Sequence, residues 1–205
     1  MRDSRLSAGE AKSLKAEHAE ATRAALVSSA RALFARRGYA AVSIEEIVRR
    51  ARVTRGALYH HFEDKADLFG ATFESVQRDL ADQLVKAAMA QPDPAKHLAV
   101  GCHAFLDACT KPDVQRIVLL DGPAVLGWEA WHESDVNFGL ELLKRSIEAA
   151  IAGGAVERQP VVPLSHLLLG ALNGGGLAIA RASDTARSQR EMGKAMDRLL
   201  AGLAP

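Results

Sequence analysis

"SIEEIVRRARVTRGALYHHFEDKADLF", residues 43–69, decides how the rest of the chain is read. It opens with Ser43-Ile44-Glu45-Glu46, a serine followed three residues later by a glutamate. In that capping-box pattern each side chain satisfies a backbone N–H at the other's position, so a helix is predicted to start at Ile44 and run to about Ala51. After a short turn, Thr54 offers a second N-cap, for a very short helix ending near His61. Asp64, with Asp67 three residues on, opens a much longer helix. Two short helices joined by a tight turn over residues 43–61 have the spacing of a helix-turn-helix. Ile44, Ile47, Val48, Val53 and Leu58 are the apolar positions that hold the pair together.

Those positions leave Thr54, Arg55, Gly56, Tyr59 and His60 facing outward on the short helix. The set suits a nucleic-acid surface. Arg55 can reach phosphate or guanine, and Thr54 offers a hydroxyl. Gly56 lets the backbone approach closely, while Tyr59 and His60 donate to phosphate oxygens. His60 and His61 also admit readings as metal ligands, bases or a solvated pair. Adjacent helical residues point roughly 100° apart at 3.6 per turn, so the two do not chelate one metal from one face. The zinc-type spacing on a helix is i, i+4. One imidazole is expected to face a duplex and the other the start of the next helix.

Upstream, Leu26, Ala30, Leu33 and Phe34 recur at helical spacing, with Arg36 and Arg37 in the last turn and Gly38 as the stop. Residues 1–19 read as a flexible polar arm, 20–65 as a basic DNA-binding module and 66–205 as a separate helical body. The helix from Asp64 has the apolar face Phe69, Phe73, Val76, Leu80, Leu84 and ends before Pro92. Beyond it, helices are predicted over 95–109, 113–120 (stopped by Gly122-Pro123), 124–152, 164–182 and 186–202. Alternating strand-like runs are absent, so the fold class is all-α.

The chain's 205 residues carry a net charge of +1. Residues 1–65 hold 13 Lys/Arg against 8 Asp/Glu, whereas 66–205 hold 13 against 17. A basic module that meets a polyanion is thereby set against an acidic body. An acidic body argues against a protein that merely coats DNA. Cys102 and Cys109 stand seven residues apart, roughly 10 Å along a helix, which is beyond disulfide reach and fits no zinc pattern. A reducing cytoplasm is the expected compartment. Residues 1–20 contain no apolar signal core, and the apolar run Leu167–Ala180 falls short of the ~18–20 residues that span a bilayer. No membrane partner and no cofactor are expected.

The stretch "GYAAVSIEEIVRRARVTRGALYHHFEDKADLF", residues 38–69, resembles the DNA-binding domain of the tetracycline-repressor (TetR) family of transcriptional regulators. The resemblance is close over about residues 20–70. It implies a third helix in the major groove, with Ser43, Thr54, Arg55, Tyr59, His60 and Lys65 at contact positions and Tyr39 as an aromatic near the DNA backbone. The family usually has glycine in the inter-helix turn where this chain has Arg52. The turn is therefore either slightly strained or built without a left-handed residue, and Arg52 adds a cation near the phosphates.

The resemblance further implies a body that binds a small-molecule effector in a helix-lined cavity, dimerises through its last two helices and favours repression. The segment 164–182 is apolar nearly all round and needs partners on several sides. Leu168, Leu172, Gly175 and Ile179, with Met192, Met196 and Leu199 of the final helix, are expected at the two-fold seam. Gly174-Gly175-Gly176 fits close helix approach or a bulge beside a cavity. A homodimer would place two recognition helices in successive major grooves and so calls for a palindromic operator in double-stranded DNA. Phe73, His103, Phe105, Trp128, Trp131, His132 and Asn173 are the candidate pocket residues, although large aromatics equally describe ordinary core. The rival reading is a small-molecule or metal-binding helical enzyme around Glu129 and His132, an E-x-x-H spacing. A di-iron site would need a second copy of that spacing, and the chain has one.

Overall fold

The computed structural model describes the backbone of residues 3–205 and the side chains of residues 16–134, 136 and 138–205. Every regular element among them is helical. Helix α1 spans Asp3–Arg37, so the segment expected as an irregular arm is helical from Asp3 onward. It buries Leu26, Ala30 and Phe34 completely. Gly38, at φ 77°, closes it by donating to Phe34 O at 2.8 Å, the left-handed stop that glycine adopts without strain.

Helix α2 (Ile44–Ala51) starts on the anticipated reciprocal cap. Glu46 N donates to Ser43 Oγ at 3.3 Å, and Ser43 N donates to Glu46 Oε2 at 3.0 Å. Helix α3 (Arg55–His61) begins where Ala57 N donates to Thr54 Oγ1 at 3.1 Å. Helix α4 (Lys65–Met89) begins where Asp67 N donates to Asp64 Oδ1 at 2.8 Å. Ile47, Leu58 and Phe69 meet Phe34 in a fully buried core, and the rings of Phe34, Tyr39 and Phe69 stand 5.2–5.7 Å apart, centre to centre.

The body is less regular than its periodicity predicts. A 3₁₀ turn (Pro94–Lys96) leads into α5 (His97–Ala108). Residues Val114–Asp121 form a π-helix, and Gly122-Pro123 does not stop it but opens α6 (Gly122–Leu126). Proline is tolerated there because a first-turn N–H has no helical partner in any case. The single helix expected over 124–152 is broken at Gly127, whose φ of 82° suits only glycine. Beyond the break come α7 (Trp128–Asp135), a second π-helical stretch (Val136–Leu140) and α8 (Glu141–Ala152).

Helix α9 (Val161–Arg181) starts three residues earlier than predicted. At 21 residues it is long and apolar enough, by length and composition, to cross a membrane. In this fold it buries Leu164, Leu168, Leu169, Leu172 and Ile179 against the neighbouring helices. A Cβ at Gly175 would lie 3.0 Å from Met192 Cγ of α10 (Thr185–Ala201), and one at Gly176 only 2.9 Å from Cys109 Sγ. Two of the three glycines thus serve close approach. Gly174 faces open space, and α9 runs through the triplet without a bulge.

Candidate nucleic-acid interface and effector cavity

Helix α3 is held by one apolar residue and exposes the rest of its forward face. Leu58 is fully buried, whereas Thr54, Arg55, Gly56, Tyr59 and His60 are all exposed. Arg55 is the centre of the face. Its Nη2 donates to Tyr59 Oη at 3.2 Å, its Nη1 lies 3.1 Å from Glu45 Oε1, and its guanidinium sits 5.4 Å from the Tyr59 ring centre. A Cβ at Gly56 would meet only Thr54 Oγ1, at 3.9 Å, so the backbone there is bare. His60 is exposed and His61 half-buried, their rings edge to face at 5.2 Å. Arg49, Arg50 and Arg52 add exposed cations.

Arg52 resolves the question its turn raised. At φ 58°, ψ 38° it is the one non-glycine residue among those described with a left-handed backbone. An L side chain pays roughly 1–2 kcal/mol for that geometry. Ser43 is exposed, but its hydroxyl is occupied by the cap. Lys65 has partners within the chain. Its Nζ donates to Tyr39 O and Val42 O, both at 2.9 Å, and lies 4.1 Å from the Tyr39 ring centre. Lys65 and Tyr39 thereby clasp the loop ahead of α2.

This loop is also gripped from the body. Tyr39 N donates to Asp121 Oδ2 at 2.7 Å, and Arg116 Nε lies 3.4 Å from the same oxygen. Asp121 escaped the sequence reading because the contact spans 82 residues and leaves no local pattern.

A cavity of about 60 Å³ lies among α4, α5, α8, α9 and the Val136–Leu140 stretch, several times the ~10–15 Å³ that one water needs. Of the expected pocket residues only Phe105 lines it. Phe73 is buried in the core instead, and a Cβ at Gly122 would stand 3.1 Å from its ring. His103 points toward α10, its Nε2 2.6 Å from Asp197 Oδ1. Trp131 is buried and donates from Nε1 to Val118 O at 2.9 Å. Trp128 is exposed, stacked on His132 at 5.6 Å. Asn173 is half-buried on α9, away from the lining. Glu129 and His132 are exposed, and no cluster of three metal-ligating side chains forms among the described residues.

The walls actually present include Gln77 and Leu84 of α4, Cys102 of α5 and Leu172 of α9. Gln77 carried a legible signal, a polar residue four positions after Phe73 and three before Leu80 on the apolar stripe. It is 4% exposed, and its Nε2 has no hydrogen-bond partner among the described residues; such a buried donor costs roughly 1–3 kcal/mol. Burial pushes the thiols of Cys102 and Cys109 up to about 12.

The expected dimer residues divide. Leu168, Leu172, Gly175, Ile179 and Met196 are buried within the protomer, and Met192 is half-buried. Leu199 is exposed. The outward face of α9 is instead Val162, Leu167, Gly170, Gly174 and Ala178, with Leu167 73% exposed. Because α9 is apolar nearly all round, its inner and outer faces could not be told apart from composition.

Residues 26–72 match bacterial regulatory proteins of the tetR family, and residues 95–203 match the tetracyclin repressor-like C-terminal domain. The Transposon Tn10 TetC protein of Escherichia coli is 30% identical over 171 residues, 83% of this chain and 84% of that one. The transcriptional repressor BepR of Brucella suis is 35% identical over 105 residues, 51% of this chain and 50% of its own. A TetR-family regulator from Pectobacterium atrosepticum has a crystal structure that superposes with a TM-score of 0.83 at 34% identity, over 92% of this chain and 96% of that one. Both halves match one family, and relatives run along most of its length: the chain belongs to the TetR family of transcriptional regulators.

Proposed function

We propose that the protein is a repressor that binds a palindromic operator as a homodimer and releases it when a small-molecule effector fills the cavity. The observation that carries this reading is the exposed cluster of Arg55, Tyr59, Thr54, Gly56 and His60 on a helix anchored from behind by Leu58. Such a helix enters a major groove, and Arg52 with its neighbouring arginines supplies phosphate contacts. Lys65 and Tyr39 set the angle at which α3 is presented. The recognition unit ends at about residue 65, and the body beyond it works with the DNA in the cytoplasm.

Dimerisation uses the outward face of α9 together with Leu199 of α10. Its small residues Gly170, Gly174 and Ala178 recur every four positions, which allows two helices to come close. Release follows from α4, which carries the clasp Lys65 at its start and the cavity wall at Gln77, Leu80 and Leu84. An effector that prefers a different tilt of α4 lowers DNA affinity by its own preference between the two states. The test is DNase protection over the region flanking the gene. Two symmetric half-sites about 34–36 Å apart support the reading. Absent or asymmetric protection counts against it.

A further inference from the structure

Among the described residues, the other fully buried side-chain polar atoms have partners. Thr72 and Ser165, both fully buried, donate to the carbonyls of Leu68 and Val161 in their own helices. Ser146, on the cavity wall, donates likewise to Leu142 O at 2.9 Å. Gln77 is the exception: 96% of its surface is covered, its Nε2 is unpaired, and it stands on the wall of the cavity. Natural structures pair such donors, so one left over beside an empty space marks a place for a partner.

The rest of the wall defines that partner. Leu80, Leu84, Phe105, Phe138 and Leu169 supply an apolar surface, and among the described residues no Lys, Arg, His, Asp or Glu lines the cavity. The Cys102 thiol, pushed up to about 12, is uncharged at neutral pH. A charged ligand would therefore leave its charge unpaired in an apolar site. We propose that the effector is a neutral, largely apolar molecule with one carbonyl or hydroxyl oxygen that accepts from Gln77 Nε2. This rests on the effector reading above and gives it a chemical class. It also makes Gln77 the residue that separates such a ligand from a plain hydrocarbon. Gln77 lies twelve residues along α4 from the clasp at Lys65, about 18 Å at 1.5 Å per residue, so the new bond forms on the element that carries the clasp.

The experiment is calorimetric titration of the full chain, without DNA, against unbranched methyl ketones of six to twelve carbons, the alkanes of equal length and the corresponding carboxylates. The expected result is at least tenfold tighter binding of a ketone than of its alkane or carboxylate. Gln77→Leu should erase the ketone's advantage while retaining alkane binding, and should melt no lower than wild type because an unpaired amide has gone. Three results overturn the proposal: a ketone advantage that survives Gln77→Leu, a carboxylate that binds as tightly as the ketone, or no binding by any member of the set. Should Gln77→Leu fail to fold, Gln77→Met replaces it, and a wild-type ketone-to-alkane ratio near one is decisive alone. A ketone that binds by this rule yet leaves operator affinity unchanged sinks the release mechanism and leaves the ligand class standing.

Discussion

Arg55 spends the free state on two exposed partners, Glu45 and Tyr59. Exposed pairs of this kind contribute only ~0–1 kcal/mol, so both are readily exchanged for a phosphate or a guanine edge. Arg55→Ala and Tyr59→Ala are each expected to weaken operator binding by more than ~1 kcal/mol. A gel-shift titration with an unchanged midpoint would remove the residue from the interface. Arg52 makes a different prediction because its backbone is left-handed. Arg52→Gly should stabilise the fold by roughly 1 kcal/mol through relief of that geometry, and should flatten the salt dependence of binding by about one phosphate contact. Urea unfolding and binding at several salt concentrations read the two effects separately. At this scale the sequence was informative where a residue's role was local. The caps Ser43, Thr54 and Asp64 announce themselves within three residues, and the outward set on α3 follows from which positions are apolar. The Lys65 clasp was not legible because its partners are backbone carbonyls more than twenty positions away, which no pattern of side chains encodes.

The elements repeat that division. Helices α2, α3 and α4 start where their caps dictate. The body breaks at Gly127 and twice slips into π-helical turns, because packing between helices overrides a period that continues across the breaks. The capping box of α2 makes acid sensitivity a property of one element. The Ser43 backbone N–H, and then Arg37, hold the Glu46 carboxyl down from 4.5 to about 2. Its folded pKa is depressed, so its contribution is complete above about pH 4.5 and is lost as pH falls toward 2. Urea unfolding should show the stability gap between wild type and Glu46→Gln constant at neutral pH and narrowing below about 4.5; a gap unchanged at pH 3 would contradict the assignment. On α9, Gly174→Ala meets nothing within the protomer but adds a methyl where the proposed seam brings two helices close, so it should weaken the dimer. Gly176→Ala drives a methyl against Cys109 and should cost about 1–3 kcal/mol. Thermal melts should read the loss in Gly176→Ala, and light scattering the weakened dimer in Gly174→Ala.

At the scale of the whole molecule, the proposed seam on the exposed face of α9 can be tested directly. Leu167→Glu places a charge on the most exposed leucine of that face, and light scattering at micromolar concentration should then show a protomer where wild type shows a dimer. A wild-type protomer would refute the seam outright. The general plan was open to reading from charge asymmetry, helix periodicity and residues 38–69. The cavity's walls were not, since they assemble from five segments that meet only in the folded chain.

The bond from Tyr39 to Asp121 bears on how freely such proteins exchange their ends. A graft of the first 65 residues onto a foreign body would strand the Tyr39 amide unless a carboxylate stood at the equivalent of position 121. It would also give Gly38 a new neighbour in place of the flexible end of Arg116, which packs beside it here. The reading head is thus keyed to its own chassis, and hybrid regulators built from this chain should carry positions 116 and 121 along with it.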